Sequence, residues 1–544
     1  NWMNWYSMAH PDRQSDRPSH RQTRSLAPTL ASLRQSRSWV WGLALFLGLS
    51  SGADRAQAQM LPAQPFQPSQ TPRLQAQTLQ AQTFPAQTFP AQTLQAQTLQ
   101  AQALPVQRNS RAAAIALPQP LPEATTAARA QQAQEQDDRS APDRYNLDRY
   151  PLTAAYEGHW RQTLWATALR EPEDPAAVQA LVALLSLTDD RLDPAQQRLV
   201  EMALQVSHQL YRHLPQTYAA LEQPLRATVA QSPDPEWVAL ALSALVNGGV
   251  GADDRQALID RVQTRFPQWS QILSLNLTLR DLAIVDLPVI TPPLADLLQW
   301  QSVPGEPQVY VLCRPDRGLL CRAILKTGTG EFYREEGGLW SVLLSGRSLH
   351  DLPWQFRRGE TPQGLFRMEG TVPQPDTEYF RAFGFFDLVN LYVPFETGVK
   401  AFIPAQSGTL SGGLSAYQAL LPPRWRGYGP IQQSYWAGKQ GRSLFRIHGT
   451  GEDPSFFRNN RHYPASEGWN PAIGCLSAQE QYDAQGRFIT GGMPTVLQAL
   501  TAVGGQDFTG YVTVVEVGED EIPGVTEAIA VSHIDQVLEG LRED

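Results

Sequence analysis

Apolar residues recur at three- and four-residue spacing through residues 145–300, and in three places the pattern starts from an Asp-Pro pair: "DPAAVQALVALLSL", "DPAQQRLVEMALQVSHQLYRHL" and "DPEWVALALSALVN". An aspartate ahead of the first turn accepts from amides that have no partner inside the helix, and a proline at the first helical position needs no donor. Asp174, Asp193 and Asp234 are therefore the expected N-caps, with Pro175, Pro194 and Pro235 following them. Helices of about 12–20 residues joined by short loops make 145–300 an all-α domain. The spacing of the Asp-Pro pairs suits helix pairs stacked as a solenoid, and a compact bundle suits it equally. His208 and His213 share one of these helices at i and i+5, which does not put both on one face, so they read as ordinary helix residues.

From about Val303 the period changes. "QVYVLCR", "LLCRAILKTG", "LWSVLLSGR", "GLFRMEG", "SLFRIHG" and "YVTVVEV" are short β-branched and aliphatic runs separated by Gly, Pro and Asp. They predict a mainly-β domain over 301–519, built on a mixed or antiparallel sheet, and then a tail over 520–544 whose "SHIDQVLEGLRED" suits a terminal helix. "VYVLCRPDRGLLCRAIL" reads as a hairpin that sets Cys313 opposite Cys321. Opposed strand positions lie near the distance a disulfide needs, although two reduced cysteines on opposite faces fit the same pattern.

Residues 1–144 carry neither period. Over 1–58, Arg21, Arg24, Arg34 and Arg37 precede the apolar run Trp39–Leu49, and Ala56 and Ala58 offer a small-residue cleavage site. That is the layout of a signal peptide; an uncleaved signal anchor is the alternative, although the run is short for a span of about 20 residues. Residues 59–144 are a linker rich in Gln, Pro and Ala, with "LQAQT" alternating with "FPAQT", and hold too little apolar area to offset the entropy of ordering. The protein is thus expected to be exported to the periplasm or cell wall, meeting a membrane only through the signal segment if it stays uncleaved. With 44 basic against 53 acidic residues and no basic run beyond the first 40 residues, nucleic acid is not an expected partner.

Export changes the reading of the third cysteine. An unpaired thiol in an oxidising compartment needs a reason, and Cys475 in "AIGCLSA" follows a glycine directly. A cysteine nucleophile needs a base and donors for the oxyanion. "SLFRIHGTG" delivers His448 at a strand end that breaks into Gly449, Thr450 and Gly451, a setting that suits a catalytic base. Gly474 permits backbone geometry that a side chain obstructs, and the main-chain amides around Cys475 are candidates to face a developing oxyanion. His462 is a rival base without that setting. A buried structural cysteine is the plain alternative for Cys475. No metal-ligand cluster, phosphate loop or dinucleotide fingerprint is visible, so neither a metal nor a cofactor is expected.

Taken in order, "RRGETPQGLF", "LFRIHGTG", "AIGCLSA" and "GYVTVVEV" resemble the catalytic domain of the L,D-transpeptidase (YkuD-like) family, over about residues 303–518. The resemblance implies a transferase of cell wall biogenesis and cell shape. Its cysteine attacks a peptidoglycan stem-peptide carbonyl, and the resulting thioester is resolved by the amine of a second stem, with no cofactor. Carried over, Cys475 is the nucleophile, His448 the base and Gly474 the shaper of the oxyanion pocket, with Arg446, Gly449, Thr450 and Ser477 set to meet the substrate. The chain departs from the family in a longer His448-to-Cys475 interval, in Ala472-Ile473 where a Ser-His pair is common, and in Ser477 where arginine is common. Arg442, Arg446, Arg458 and Arg461 are candidates for the missing carboxylate contact. The alternatives are an L,D-carboxypeptidase with water as acceptor, a non-catalytic wall-binding scaffold, and a helical domain that docks a protein partner.

Overall fold

The computed structural model describes residues 120–188, 191–286, 290–374, 384–518, 521–522, 524 and 527–543, all within one compact unit. The expected signal segment and the linker up to residue 119 lie outside the described residues. The last part of the expected linker is not a tether. Thr125 caps helix α1 (Thr126–Arg139) by accepting from the Ala128 amide, and Asp137 on that helix receives two bonds from Arg170 at 2.7 and 2.9 Å.

Each Asp-Pro pair starts a helix. After α2 (Glu157–Arg170), Asp174 caps α3 (Pro175–Leu185) and Asp193 caps α4 (Pro194–His213) with a full capping box through Gln196. Then come α5 (Glu222–Gln231), α6 (Pro235–Asn247, capped by Asp234), α7 (Ala252–Arg265) and α8 (Leu273–Ile284). Helices α2, α4, α6 and α8 pack side by side in one row, and α3, α5 and α7 form a second row against it, the layering of a stacked helix-pair array. Leu164, Leu181, Leu199, Val229 and Leu242 are fully buried between the rows, each stabilising the stack by about 1.5–3 kcal/mol.

The C-terminal half is a curled mixed sheet. Its strands are β1 (Gln308–Cys313), β2 (Cys321–Lys326), the short β3 (Arg334–Glu335) and β4 (Gly338–Leu339), β5 (Ser341–Leu344), β6 (Gly364–Val372), β7 (Leu388–Tyr392), β8 (Phe445–Thr450), β9 (Leu476–Tyr482), β10 (Phe488–Gly491) and β11 (Thr509–Glu516). Nine of them run β10-β9-β8-β7-β6-β11-β1-β2-β5, parallel at β1–β11 and β8–β9 and antiparallel elsewhere. The β1–β2 hairpin forms as expected, and Cys313 and Cys321 are joined in a disulfide at its turn. Past the end of β5, Ser345 exchanges both backbone bonds with Ser477 of β9, at 2.8 and 2.9 Å, which pulls one edge of the sheet toward the other.

One sheet face buries Val311, Phe366, Leu391, Ile447 and Leu476 under helix α12 (Gly492–Gly504). The other packs against α9 (Leu294–Gln299), α10 (Gly413–Ala419), α11 (Gln433–Lys439) and the terminal α13 (Val531–Glu543). Trp425 and Tyr435 of the aromatic-rich "QALLPPRWRGYGPIQQSYW", and Tyr417 just before it, belong to this second core.

The two halves meet through a segment that sequence patterning does not reveal. Between β5 and β6 the chain runs out to the inner helix row and back. Its His350 carbonyl accepts from His208 Nδ1 at 3.1 Å, Trp354 Nε1 donates to Asp281 at 2.9 Å, and Leu349, Leu352 and Phe356 join the helical core.

Candidate active site

The returning end of that segment lies beneath the Gly474–Cys475 turn. Thr361, from "RRGETPQGLF", donates its hydroxyl to the carbonyls of Gly474 and Cys475 at 3.0 and 3.2 Å. Arg442 is buried and grips the same segment through the carbonyls of Trp354, Gly359 and Glu360. Gly474 adopts φ +123°, and a Cβ there would lie 2.6 Å from an Arg442 nitrogen, so both backbone conformation and space demand glycine.

The parallel pairing of β8 with β9 sets His448 opposite Ser477 and Ile447 opposite Leu476. Ile447 and Leu476 point into the core, so by alternation Arg446 and His448 share the opposite face of β8. Cys475 immediately precedes β9, on the neighbouring strand and two positions from Ser477. The thiol is partly buried, with the Leu444 carbonyl 3.7 Å from its sulfur.

The ring of His448 is buried, and its Nδ1–H donates to the Gly449 carbonyl at 3.0 Å. This bond fixes the tautomer in which Nε2 is the basic nitrogen. Burial pushes the imidazole down to about 4 against the raising effect of that bond, and burial pushes the Cys475 thiol up against the nearby charge of Arg446. At neutral pH the pair is therefore thiol and neutral imidazole, with the proton still on sulfur.

The other expected contact residues are placed unevenly. Gly449 is required because a Cβ would lie 1.6 Å from a Glu480 carboxylate oxygen. Arg446 sits beside the thiol and bonds the Phe445 carbonyl at 2.6 Å. Thr450 and Ser477 depart from expectation: both are buried, with Thr450 Oγ1 directed at the Ala478 carbonyl and Ser477 Oγ donating to the Asn470 carbonyl at 2.8 Å. Their hydroxyls hold strands and loop together. Among the alternative arginines, Arg442 is structural, Arg458 lies near Asp137 and Arg461 near Glu171 and Glu173, leaving Arg446 at the site.

The extended interval between His448 and Cys475 is taken up by three 3-10 turns, Pro454–Phe456, Arg458–His462 and Pro464–Ser466, which bind the helical half. Phe457 enters the helical core, and the Phe456 carbonyl accepts from Arg170 at 3.1 Å. His462, the rival base, is drawn into this contact with its Nε2 3.0 Å from Glu171. His213 is no ordinary helix residue either. Its Nδ1 is 2.7 Å from Glu171 and its Nε2 bonds Asp351.

Sequence reasoning missed Glu396. It is buried, accepts from the amides of Leu444 at 2.8 Å and Val393 at 3.2 Å, and is pushed up to about 7 by burial against those bonds and the charge of Arg446. Phe395 and Leu444, which flank this carboxyl and the thiol, both have positive φ, +72° and +64°. Strain of about 1–3 kcal/mol per such residue persists only where surrounding structure enforces it, and it concentrates at functional sites. Neither residue type signals a left-handed backbone. No protein-family model, curated protein or solved structure matches the chain.

Proposed function

We propose that this chain is an exported L,D-transpeptidase that remodels peptidoglycan through a Cys475 thioester. The observation that supports the reading is the β8–β9 register, which puts His448 on the strand next to the one that the Gly474–Cys475 turn leads into, with its Nδ1–H committed to the Gly449 carbonyl and the thiol partly buried. The order and spacing of the sequence motifs, and the resemblance they carry, support it independently. The disulfide between Cys313 and Cys321 fits an oxidising compartment.

In this reading the Cys475 sulfur attacks a stem-peptide carbonyl while its proton passes to His448. The C–S bond forms, the carbonyl oxygen becomes an oxyanion facing the main-chain amides of the Gly474–Cys475 turn, and Arg446 meets a substrate carboxylate. Collapse breaks the C–N bond to the terminal D-residue, whose nitrogen leaves with the proton from the imidazolium. An acceptor amine then attacks the thioester, gives its proton to His448 and forms a new amide, and the thiol is regenerated. The helical half acts as a buttress: it holds the outgoing segment at His350 and Trp354, and the returning end presents Thr361 to the nucleophile turn.

Incubation with defined muropeptides followed by mass spectrometry tests the reading. Crosslinked products that vanish in Cys475→Ala support it, and products shortened by one residue without crosslinks assign the carboxypeptidase alternative. Sacculus binding with neither product, and with no labelling of Cys475 by a carbapenem or a thiol probe, would leave a scaffold instead.

A further inference from the structure

Away from the thiol, a second cluster of buried chemical groups joins three distant parts of the chain. Glu171 ends α2, His213 ends α4, and His462 comes from the extended loop before Cys475. One ligand atom from each, a carboxylate oxygen, an Nδ1 and an Nε2, lie within 4.8 Å of one another. The Glu171 and His213 side chains are 0% and 4% exposed, and that of His462 is 24% exposed, so the cluster opens to solvent on one side.

We propose that Glu171, His213 and His462 form a binding site for one divalent transition-metal ion of the zinc class. Zinc takes histidine nitrogen at about 2.0–2.1 Å and carboxylate oxygen at about 2.0–2.2 Å, which puts neighbouring ligand atoms of a tetrahedral site somewhat over 3 Å apart. Here Glu171 lies 2.7 Å from His213 Nδ1 and 3.0 Å from His462 Nε2, so small side-chain shifts suffice to admit the ion.

Three features beyond the ligands fit such a site. A metal-bound histidine usually donates its other N–H to a carboxylate, and His213 Nε2 bonds Asp351, whose side chain is 3% exposed. The Glu171 carboxylate is oriented by Gln209 Nε2 at 3.0 Å. Both carboxylates stand on left-handed backbone, Glu171 at φ +43° and Asp351 at φ +51°, a strain the surrounding fold enforces at two residues that converge on one ring.

Arg461 opposes an ion in this position. Its guanidinium is 3.5 Å from Glu171 and 3.4 Å from His462 Nε2, yet the side chain is 45% exposed and free to swing outward. In this arrangement Arg461 is the cation that holds the site until a metal displaces it. Arg212 and Arg347 also face the cluster, near Asp351, and favour a site of moderate affinity.

The site is independent of the chemistry at Cys475, and its test reads metal rather than turnover. Untagged full-length protein is dialysed to equilibrium against zinc, its metal content is measured by mass spectrometry, and Co²⁺ is used separately to report tetrahedral coordination by visible absorption. The expected result is one zinc per chain, retained in Cys475→Ser, lost in His462→Ala and Glu171→Gln, and bound more tightly in Arg461→Ala. Asp351→Asn is expected to weaken binding about 10–100-fold. Since His462 is partly exposed, its replacement leaves the fold in place, which circular dichroism checks. A wild-type protein that retains no zinc, or zinc content unchanged by His462→Ala, would overturn the proposal.

Discussion

The surroundings of Cys475 and those of His213 are alike in burial and backbone strain and opposite in charge. Around Cys475, burial goes largely unanswered: the thiol is pushed up, His448 is held near 4, and Glu396 is raised to about 7. Each group is driven to its neutral form. Around His213 the buried groups answer one another. Burial alone would raise Glu171, but its hydrogen bonds to His213 and His462 hold it at about 2; His213, which burial would lower, is lifted to about 9 by Asp351 and Glu171. Groups held neutral keep their protons available, as the proposed reaction needs, whereas a compensated ionic cluster is a clamp.

The sharpest separation of the two comes from removing the sulfur. Cys475→Ala should abolish thioester chemistry, read as loss of muropeptide products and of carbapenem acylation by mass spectrometry, while the midpoint of thermal unfolding stays close to that of the parent. His448→Asn should lower kcat/KM about 10²–10⁴-fold, also with little change in unfolding. His213→Ala should do the reverse. Two buried carboxylates lose their shared partner, and destabilisation of about 3–5 kcal/mol is expected in denaturant titration.

Changing pH separates the sites without mutation. Because the folded His448 titrates near 4, below its unfolded value of about 6.5, its contribution to stability is whole above pH 6.5 and is lost as pH falls toward 4. Activity should fall over the acid end of that range, as the base protonates. Glu396 has the opposite sign: its folded value near 7 lies above an unfolded value of about 4.3, so its contribution is present below pH 4.3 and lost as pH rises through 7. Glu396→Gln should flatten that part of the stability profile, measured by thermal unfolding across pH.

Smaller effects refine the contrast. Thr361→Val leaves two carbonyls of the nucleophile turn without their shared donor and should cost about 1–3 kcal/mol, with slowed acylation by a carbapenem as the more specific sign of a displaced thiol. Arg461→Ala, at a half-exposed ion pair, should change stability by less than about 1 kcal/mol.

What could be read from the chain in advance follows from the range of each signal. Helix caps at Asp174, Asp193 and Asp234 are made by residues two or three positions away, and the Cys313–Cys321 hairpin closes over a short turn, so periodicity and turn chemistry expose them. The order of the His448 and Cys475 segments was informative because each carries its own local geometry, a strand breaking into glycines and a glycine turn. Nothing local to Thr450 and Ser477 shows that the carbonyls of Ala478 and Asn470 take their hydroxyls. Glu396, the left-handed Leu444, and the meeting of Glu171, His213 and His462 depend on partners chosen by tertiary packing across hundreds of residues, and no period or spacing records that choice. The packing of the segment after β5 against the helix row depends likewise on distant partners, His208 for His350 and Asp281 for Trp354.

Strand β11, close to the end of the chain, is inserted between β6 and β1 near the middle of the sheet. A ribosome that has not yet made Thr509–Glu516 therefore offers only two fragments, β1-β2-β5 and β6 through β10, each with a bare edge where that strand belongs. Closure of the sheet therefore waits for β11, the last of its strands in chain order, and until that strand pairs both bare edges stay open to misassociation.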